Sequence, residues 1–331
     1  MSTLPEKFRA LVVDQRDGKT AAEVVERGAS SLVDEGVVVE VHRAALNYKD
    51  GLAITGKGKI LRSHPMIPGV EMSGRVIGSR DARWPVGSAV LVGGWGVGER
   101  YSGTYTEYFA AKPDWLEPLP PGYDDDAAMT LGIAGITAMQ CIVRLRDMGL
   151  RNDAPVLVTG AGGGVGSVAV KLLAGLGYDV AASTGRPELE PYLRSLGATS
   201  IVPRADLSGQ IKPLGSERWA GAIDTVGGAV LAGLIPELKY GASVAAVGLT
   251  AGAELHTTVF PFILRAANLL GIDSVRVPLE HRATLWREMA EVIKPADLAG
   301  MREYTTLAGL PDRAQAIVAG QIRGRTVVKI R

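Results

Sequence analysis

The 331-residue sequence predicts an α/β protein in two parts, a β-rich part and a doubly wound parallel sheet flanked by helices. Three observations lead there. In the first third, short apolar runs bounded by Gly, Asp or Pro ("RALVVD", "GVVVEVHRAAL", "GSAVLVGG") read as strands, and the proline-rich, acidic "KPDWLEPLPPGYDDD" closes that region. From about Asp126 onward, helical and strand patterns alternate. Finally, a glycine run, "TGAGGGVGS", stands between an apolar strand and a helix.

Taken in order, "DDAAMTLGIAGITAMQCIVRL" is a helix, "APVLVTG" a buried strand and "VGSVAVKLLAGLG" a helix. "YDVAAST" is a second strand and "PELEPYLRSLGA" another helix. "SIV", "WAGAIDTVG", "YGASVAAVG" and "NLLGIDSV" supply further short strands. Such alternation predicts parallel strands joined by right-handed crossovers. The tail carries a polar-faced helix, "LEHRATLWREMAEVI", a second helix at "DRAQAIVAG" and a closing strand, "RTVVKI". Whether that tail returns to the first part is left open by the pattern.

Composition narrows the function classes. The 36 basic and 35 acidic residues leave a net charge of +1, which offers no general attraction to nucleic acid or anionic lipid. A single cysteine, Cys141, excludes an intrachain disulfide framework and a thiolate-rich zinc site. The start, "MSTLPEKFRALVV", lacks the basic-then-apolar layout of a secretory leader, and no uncharged apolar run reaches the roughly 18 residues of a membrane span. The expectation is a cytoplasmic protein acting on a small molecule, without nucleic-acid or membrane partners.

The glycine run carries the sharpest chemistry. A pyrophosphate must approach the backbone closely and rest on the free amides of a helix start, which calls for glycine at Gly162, Gly163 and Gly164, with Val165 following. A strict G-x-G-x-x-G is absent, but the looser A-x-G-x-x-G is met by Ala161, Gly163 and Gly166. Twenty residues beyond Gly164, where a carboxylate would bind the ribose 2′-hydroxyl of NAD, the chain reads Ser183, Thr184, Gly185, Arg186. Hydroxyls and a guanidinium suit the 2′-phosphate of NADPH instead. The same residues also read as a helix start, with Thr184 or Gly185 as N-cap and Pro187 in the first turn. Arg204, after the third strand, is a candidate second cation.

Several stretches together, "LNYKDGLAITGKGKI", "PMIPGVEMSG", "GWGVGE", "TGAGGGVGS", "SLGA" and "GRTVVKI", resemble the medium-chain dehydrogenase/reductase superfamily. Within it they resemble the zinc-independent quinone oxidoreductase-like group, and its acrylyl-CoA reductase branch most of all. The resemblance implies a GroES-like β-rich catalytic domain made of residues 1–125 and 275–331, with a Rossmann NADP-binding domain, residues 126–274, inserted between. It also implies NADPH-dependent reduction of a short enoyl-CoA, with quinone or enone reduction as the alternative. A noncatalytic NADPH-binding sensor or structural protein is the reading from another class. A homodimer through the edge of the Rossmann sheet is implied by resemblance alone.

The metal-dependent members carry a G-H-E segment whose His binds catalytic zinc; here it reads Gly69-Val70-Glu71, so no metal is expected. His42, His64, His256 and His281 show no ligand spacing. Without a Lewis acid, reducing an activated double bond is easier than reducing a carbonyl. The resemblance places Tyr48 beside the nicotinamide, where a neutral phenol can donate a hydrogen bond or proton. Asn47 and Asp50 are expected to orient the substrate or to fix the loop, and Lys49 to point away along an extended segment. Glu71 is expected to bond backbone or an Arg within its domain. Lys57, Lys59 and Arg62 are candidate contacts for coenzyme A phosphates, Trp95 a wall of the substrate pocket, and Arg325 a further anion contact. Resemblance adds cofactor contacts at Leu249, Ile263 and Ser274.

Overall fold

Asp17 and Gly18 both hold positive φ, 51° and 73°, and turn the chain tightly between two ten-residue strands, β1 (Lys7–Arg16) and β2 (Lys19–Gly28), paired antiparallel with Arg16 opposite Lys19. Two consecutive left-handed residues match the right-handed twist of a hairpin, and Asp-Gly is the pair that adopts them. The computed structural model that shows this describes residues 4–32, 35–209 and 212–331.

The chain divides into two units. The first comprises residues up to Ile133, Pro278–Ala283 and Pro295–Arg331. Besides the hairpin it holds β3 (Val37–Leu46), α1 (Tyr48–Thr55), β4 (Glu71–Ser79), β5 (Ala89–Gly93), β6 (Tyr108–Ala111) and β7 (Leu116–Pro118). From the tail come β14 (Arg302–Thr306), α9 (Leu310–Val318) and β15 (Arg325–Lys329), the numbering following the chain. The sheet order is β14-β15-β3-β4-β5-β7, with β6 also on β3. The tail does return: β15 lies antiparallel to β3, Val327 opposite Ala45. The core packs Leu11, Val39, Val41, Leu46, Met72, Tyr105 and Leu116, all nearly inaccessible. Burying each such aliphatic side chain stabilises the fold by about 2 kcal/mol.

The second unit, Ala134–Val277 with Thr284–Lys294, is a six-stranded parallel sheet. In chain order it runs β8 (Val156–Val158), α3 (Gly164–Gly175), β9 (Val180–Thr184), α4 (Glu190–Ser195), β10 (Ser200–Pro203) and α5 (Arg204–Leu207). Then come β11 (Gly221–Asp224), α6 (Gly228–Leu234), β12 (Ser243–Ala246), α7 (Phe260–Arg265) and β13 (Asn268–Gly271). The order β10-β9-β8-β11-β12-β13 reverses direction between β8 and β11, the place where such sheets open a ligand crevice at their carboxyl ends.

The observed units differ from the expected boundaries at 125/126 and 274/275. α2 (Asp125–Asp147) gives its first turns, through Ile133, to the β-rich unit, because Glu71 bonds the Ile133 amide. α8 (Leu279–Val292) gives its portion from Thr284 to the second unit: Val292 packs on Gly175, where a Cβ would touch it, and Glu288 pairs with Arg146 at 3.6 Å. α2 is also long and apolar enough to cross a membrane by length and composition, but 78% of its apolar window is buried in the protein, as in a core helix.

Candidate functional site

The glycine run builds a turn that only glycine permits. Thr159 follows β8, and Gly160 has φ 58°, the left-handed region. At Gly166 a Cβ would collide with the Gly160 carbonyl, so α3 packs against the turn only because that position is bare. Gly163 is the N-cap of α3 and Gly164 its first residue; the first amides of a helix have no partner within it and point outward. The turn is held beside β9, whose Ser183 carbonyl accepts the Ala161 amide at 3.1 Å.

Around the end of β9 the expected residues come together. Thr184 Oγ1 accepts the Arg186 amide at 3.0 Å, closing a local turn. The helix therefore begins later than expected: Arg186, not Thr184 or Gly185, precedes a 3-10 turn at Pro187–Leu189, and α4 follows. Arg204, the exposed first residue of α5, lays its guanidinium across Gly185, where any side chain would collide with it. Arg186 Nη2 lies 3.3 Å from where a Gly162 Cβ would stand. Burial lowers the Arg186 pKa; Glu188 opposes that shift and Arg204 adds to it. Ser183 Oγ is buried without a hydrogen-bond partner. Two guanidiniums held beside a glycine turn, with an unsatisfied hydroxyl in the adjoining strand end, form a cradle that fits a phosphate ester. Leu249 and Ile263 are both exposed, the first in the loop after β12, where it touches the Gly227 turn, and the second on α7; Ser274 lies half-buried beyond β13.

In the β-rich unit, strand register gathers the other site. Thr326 lies opposite Leu46 and Ala44 opposite Met72, so the ends of β15, β3 and β4 bring Arg325, Asn47 and Glu71 together. Arg325 Nη2 bonds Glu71 Oε1 at 2.7 Å, with side chains 2% and 1% exposed. Asn47 is held from both sides, its Nδ2 donating to Glu71 Oε1 at 2.7 Å and its Oδ1 accepting from Arg325 Nη1 at 2.8 Å. Glu71 Oε2 accepts the Ile133 amide at 2.6 Å, at a break in α2 where Gly132 has φ 45°. A Cβ at Gly132 would collide with that carboxylate. Glu71 thus bonds both backbone and an arginine within its unit, as expected. Arg325 is no surface anion contact: its guanidinium is sealed in the core by Glu71, Asn47 and the Thr130 carbonyl.

Asn47 is the N-cap of α1, and Tyr48 is its first helical residue, half-buried. The extended segment expected here is a helix instead. Its start is fixed by Asp50, whose Oδ2 accepts the Asn47 amide at 2.9 Å, and the N-x-x-D spacing was the local signal for it. Gly51 is required because a Cβ there would meet Ile317 on α9 at 2.5 Å. Lys49 turns to Glu99 at 2.9 Å. Burial pushes the Asp50 carboxyl up to about 7; the Asn47 amide opposes this and the Glu71 charge adds to it. Tyr105, beside it, donates to the Ala45 carbonyl at 3.1 Å, and burial raises its phenol well above the usual value.

Lys57, Lys59 and Arg62 are exposed after α1, Arg62 lying 3.7 Å from Glu99. Trp95, at φ 59°, is part-buried with Arg282 over its ring at 5.1 Å, and Arg282 is itself 1% exposed and paired with Glu117 at 2.9 Å. That buried pair carried no signal in the sequence. His42 bonds Asp125 at 2.9 Å and His256 bonds Glu254 at 3.1 Å. Among the described residues, no group of three or more His, Cys, Asp or Glu could hold a metal ion.

Comparison with known proteins accords with both halves of this description. Residues 33–121 match the family model "Alcohol dehydrogenase GroES-like domain" and residues 164–293 match "Zinc-binding dehydrogenase". Acrylyl-CoA reductase AcuI of Ruegeria pomeroyi is 48% identical, over 98% of this chain and 99% of its own. Among solved structures, the yhdH oxidoreductase of Salmonella enterica in complex with NADP is 48% identical with a TM-score of 0.95, covering 98% of this chain and 100% of that one. The yhfP protein of Bacillus subtilis with NAD bound is 40% identical with a TM-score of 0.94, over 98% and 100%.

Proposed function

The chain belongs to the medium-chain dehydrogenase/reductase superfamily, and from that premise we propose that it is an NADPH-dependent, zinc-independent reductase of the C=C bond of a short enoyl-CoA, converting acrylyl-CoA to propionyl-CoA. The observation that carries the cofactor half is the pair Arg186 and Arg204 about Gly185, at a strand end that bears no carboxylate. The substrate half rests on full-length likeness to a reductase of that name. The 2′-phosphate is held by Ser183, Thr184, Arg186 and Arg204, and the pyrophosphate by the backbone of Gly162, Gly163, Gly164 and Val165. Leu249, Ile263 and Ser274 complete the cofactor contacts.

When bound, NADPH supplies the hydride that adds to the β-carbon of the enoyl thioester. The electron pair displaced toward the thioester oxygen is stabilised by a hydrogen-bond donor, and the Tyr48 hydroxyl takes that role. Asn47 and Asp50 set the start of the Tyr48 helix and hold it in place. A proton then reaches the α-carbon. Lys57, Lys59 and Arg62, exposed beyond α1, take the phosphates of coenzyme A, and Trp95 bounds the acyl group. The enzyme acts in the cytoplasm as a homodimer joined along β13, whose Leu269 is exposed, as are Val259, Phe260 and Leu264 at and just before the neighbouring α7.

The test is an NADPH-oxidation assay run side by side on acrylyl-CoA, crotonyl-CoA, a quinone and a simple enone. Turnover is expected with acrylyl-CoA foremost. Turnover with the quinone alone would overturn the substrate, and NADPH binding without any turnover would make the protein a sensor.

A further inference from the structure

Where the sheet order reverses, a single buried carboxylate ties the strand ends together. Asp224 closes β11 and is inaccessible to solvent. Its Oδ1 accepts the Thr159 hydroxyl at 2.6 Å, and its Oδ2 accepts the Gly227 amide at 2.8 Å. Thr159, the residue before the glycine turn, is gripped a second and a third time. Its hydroxyl accepts the Thr225 amide at 3.1 Å, and its carbonyl accepts the Thr225 hydroxyl at 2.9 Å. The Asp224 carbonyl in turn accepts the Val247 amide, just past β12, at 2.9 Å. The fit leaves no slack. A Cβ on Gly160 would strike the Thr225 hydroxyl, and one on Gly248 would strike the Thr225 carbonyl.

Among the described residues, the hydrogen bonds to this carboxylate come from a hydroxyl and amides, not from a cation. Burying a carboxylate on those terms is expensive, and burial raises its pKa accordingly. Packing alone would be served better by an apolar side chain. What the carboxylate supplies is convergence: it sets the segments after β8 and β11 against one another, at the carboxyl ends where a ligand would sit.

We propose that Asp224 is a positioning residue of the nucleotide turn, acting through Thr159 and Thr225 to hold residues 160–163 in the shape that receives a dinucleotide pyrophosphate. This rests on the NADPH reading above, and the experiment separates the two. Full-length Thr159→Val, Thr159→Ser, Thr225→Val and Asp224→Asn proteins are titrated with NADPH by its fluorescence. Amide exchange of residues 160–165 is followed in the same proteins without ligand. Thr159→Val is isosteric but cannot donate to Asp224, and is expected to raise the NADPH Kd about tenfold and to speed that exchange. Thr159→Ser restores the hydroxyl and is expected to stay within about twofold of wild type on the same grounds. Asp224→Asn, which must turn an amide toward one of its donors, is expected to behave like Thr159→Val. Should Thr159→Val fail to fold, Asp224→Asn tests the same contact, and Thr225→Val tests the neighbouring bond from the Thr225 hydroxyl to the Thr159 carbonyl. Wild-type Kd and exchange in the folded valine variants, with only a lower thermal midpoint, would reduce Asp224 to a structural group and overturn the proposal. A wild type that does not bind NADPH would sink the cofactor reading, while the exchange rates would still decide the clamp.

Discussion

The two units hold their functional groups by opposite means. In the parallel-sheet unit the working surface is backbone, and its geometry depends on side chains being absent, as at Gly160, Gly162 and Gly166. In the β-rich unit the working surface is side chain, and its geometry depends on charges being buried, Glu71 and Arg325 at 2.7 Å with Asn47 between them. The first arrangement tolerates little added volume. The second tolerates little change in charge, because either ion left alone in the core has nothing to replace water.

The largest effect should come from splitting the ion pair. Arg325→Met keeps the volume but strands Glu71, and should destabilise the protein by about 3–5 kcal/mol in urea unfolding. Adding Glu71→Gln should restore part of that loss; a double variant no better than the single one would mean that packing, not charge, holds α1. Next in size is the titration of Asp50. Its folded pKa of about 7 lies above the ordinary aspartate value of 3.8, so the native state binds that proton more tightly than the unfolded chain. The contribution is therefore fully present below about pH 4, falls away as pH rises through about 7, and is flat above. Over that window the wild type should lose up to about 4 kcal/mol relative to Asp50→Asn, measured as thermal midpoint against pH for the two proteins. Parallel profiles would show that Asp50 ionises in the folded protein as it does in water. The smallest change to the molecule tests the parallel-sheet unit: Arg186→Ala should raise the KM for NADPH about tenfold or more while leaving that for NADH nearly unchanged. Equal changes for both cofactors would make Arg186 a structural residue, and the NAD-bound relative at 40% identity makes the distinction worth measuring.

The contrast also explains what could be read in advance. The nucleotide turn is contiguous: the strand, the glycines, the helix and the strand end 20 residues later are consecutive in sequence, so local pattern reveals nearly all of it. Arg204 was within reach because it follows the next strand. The β1–β2 hairpin and the start of α1 also had local signals, Asp-Gly and N-x-x-D, that a reading for apolar runs passes over. Lys49 pairs with Glu99 from the first turn of that helix and not from the extended segment expected there.

The sequence by itself determined the class of the fold, the phosphate-binding turn and the substitution of an arginine for the usual acid, because each is set by neighbouring residues and their backbone conformations. Only the tertiary structure decided that Arg325 is a buried partner of Glu71 and not a surface cation, that Asp50 titrates near neutrality, and that Asp224 grips Thr159 across 65 residues. Those facts depend on which strands lie side by side. Arg325 and Asn47 are 278 residues apart and meet because β15 pairs with β3, a choice made by the cooperative burial of the whole sheet and written in no local stretch.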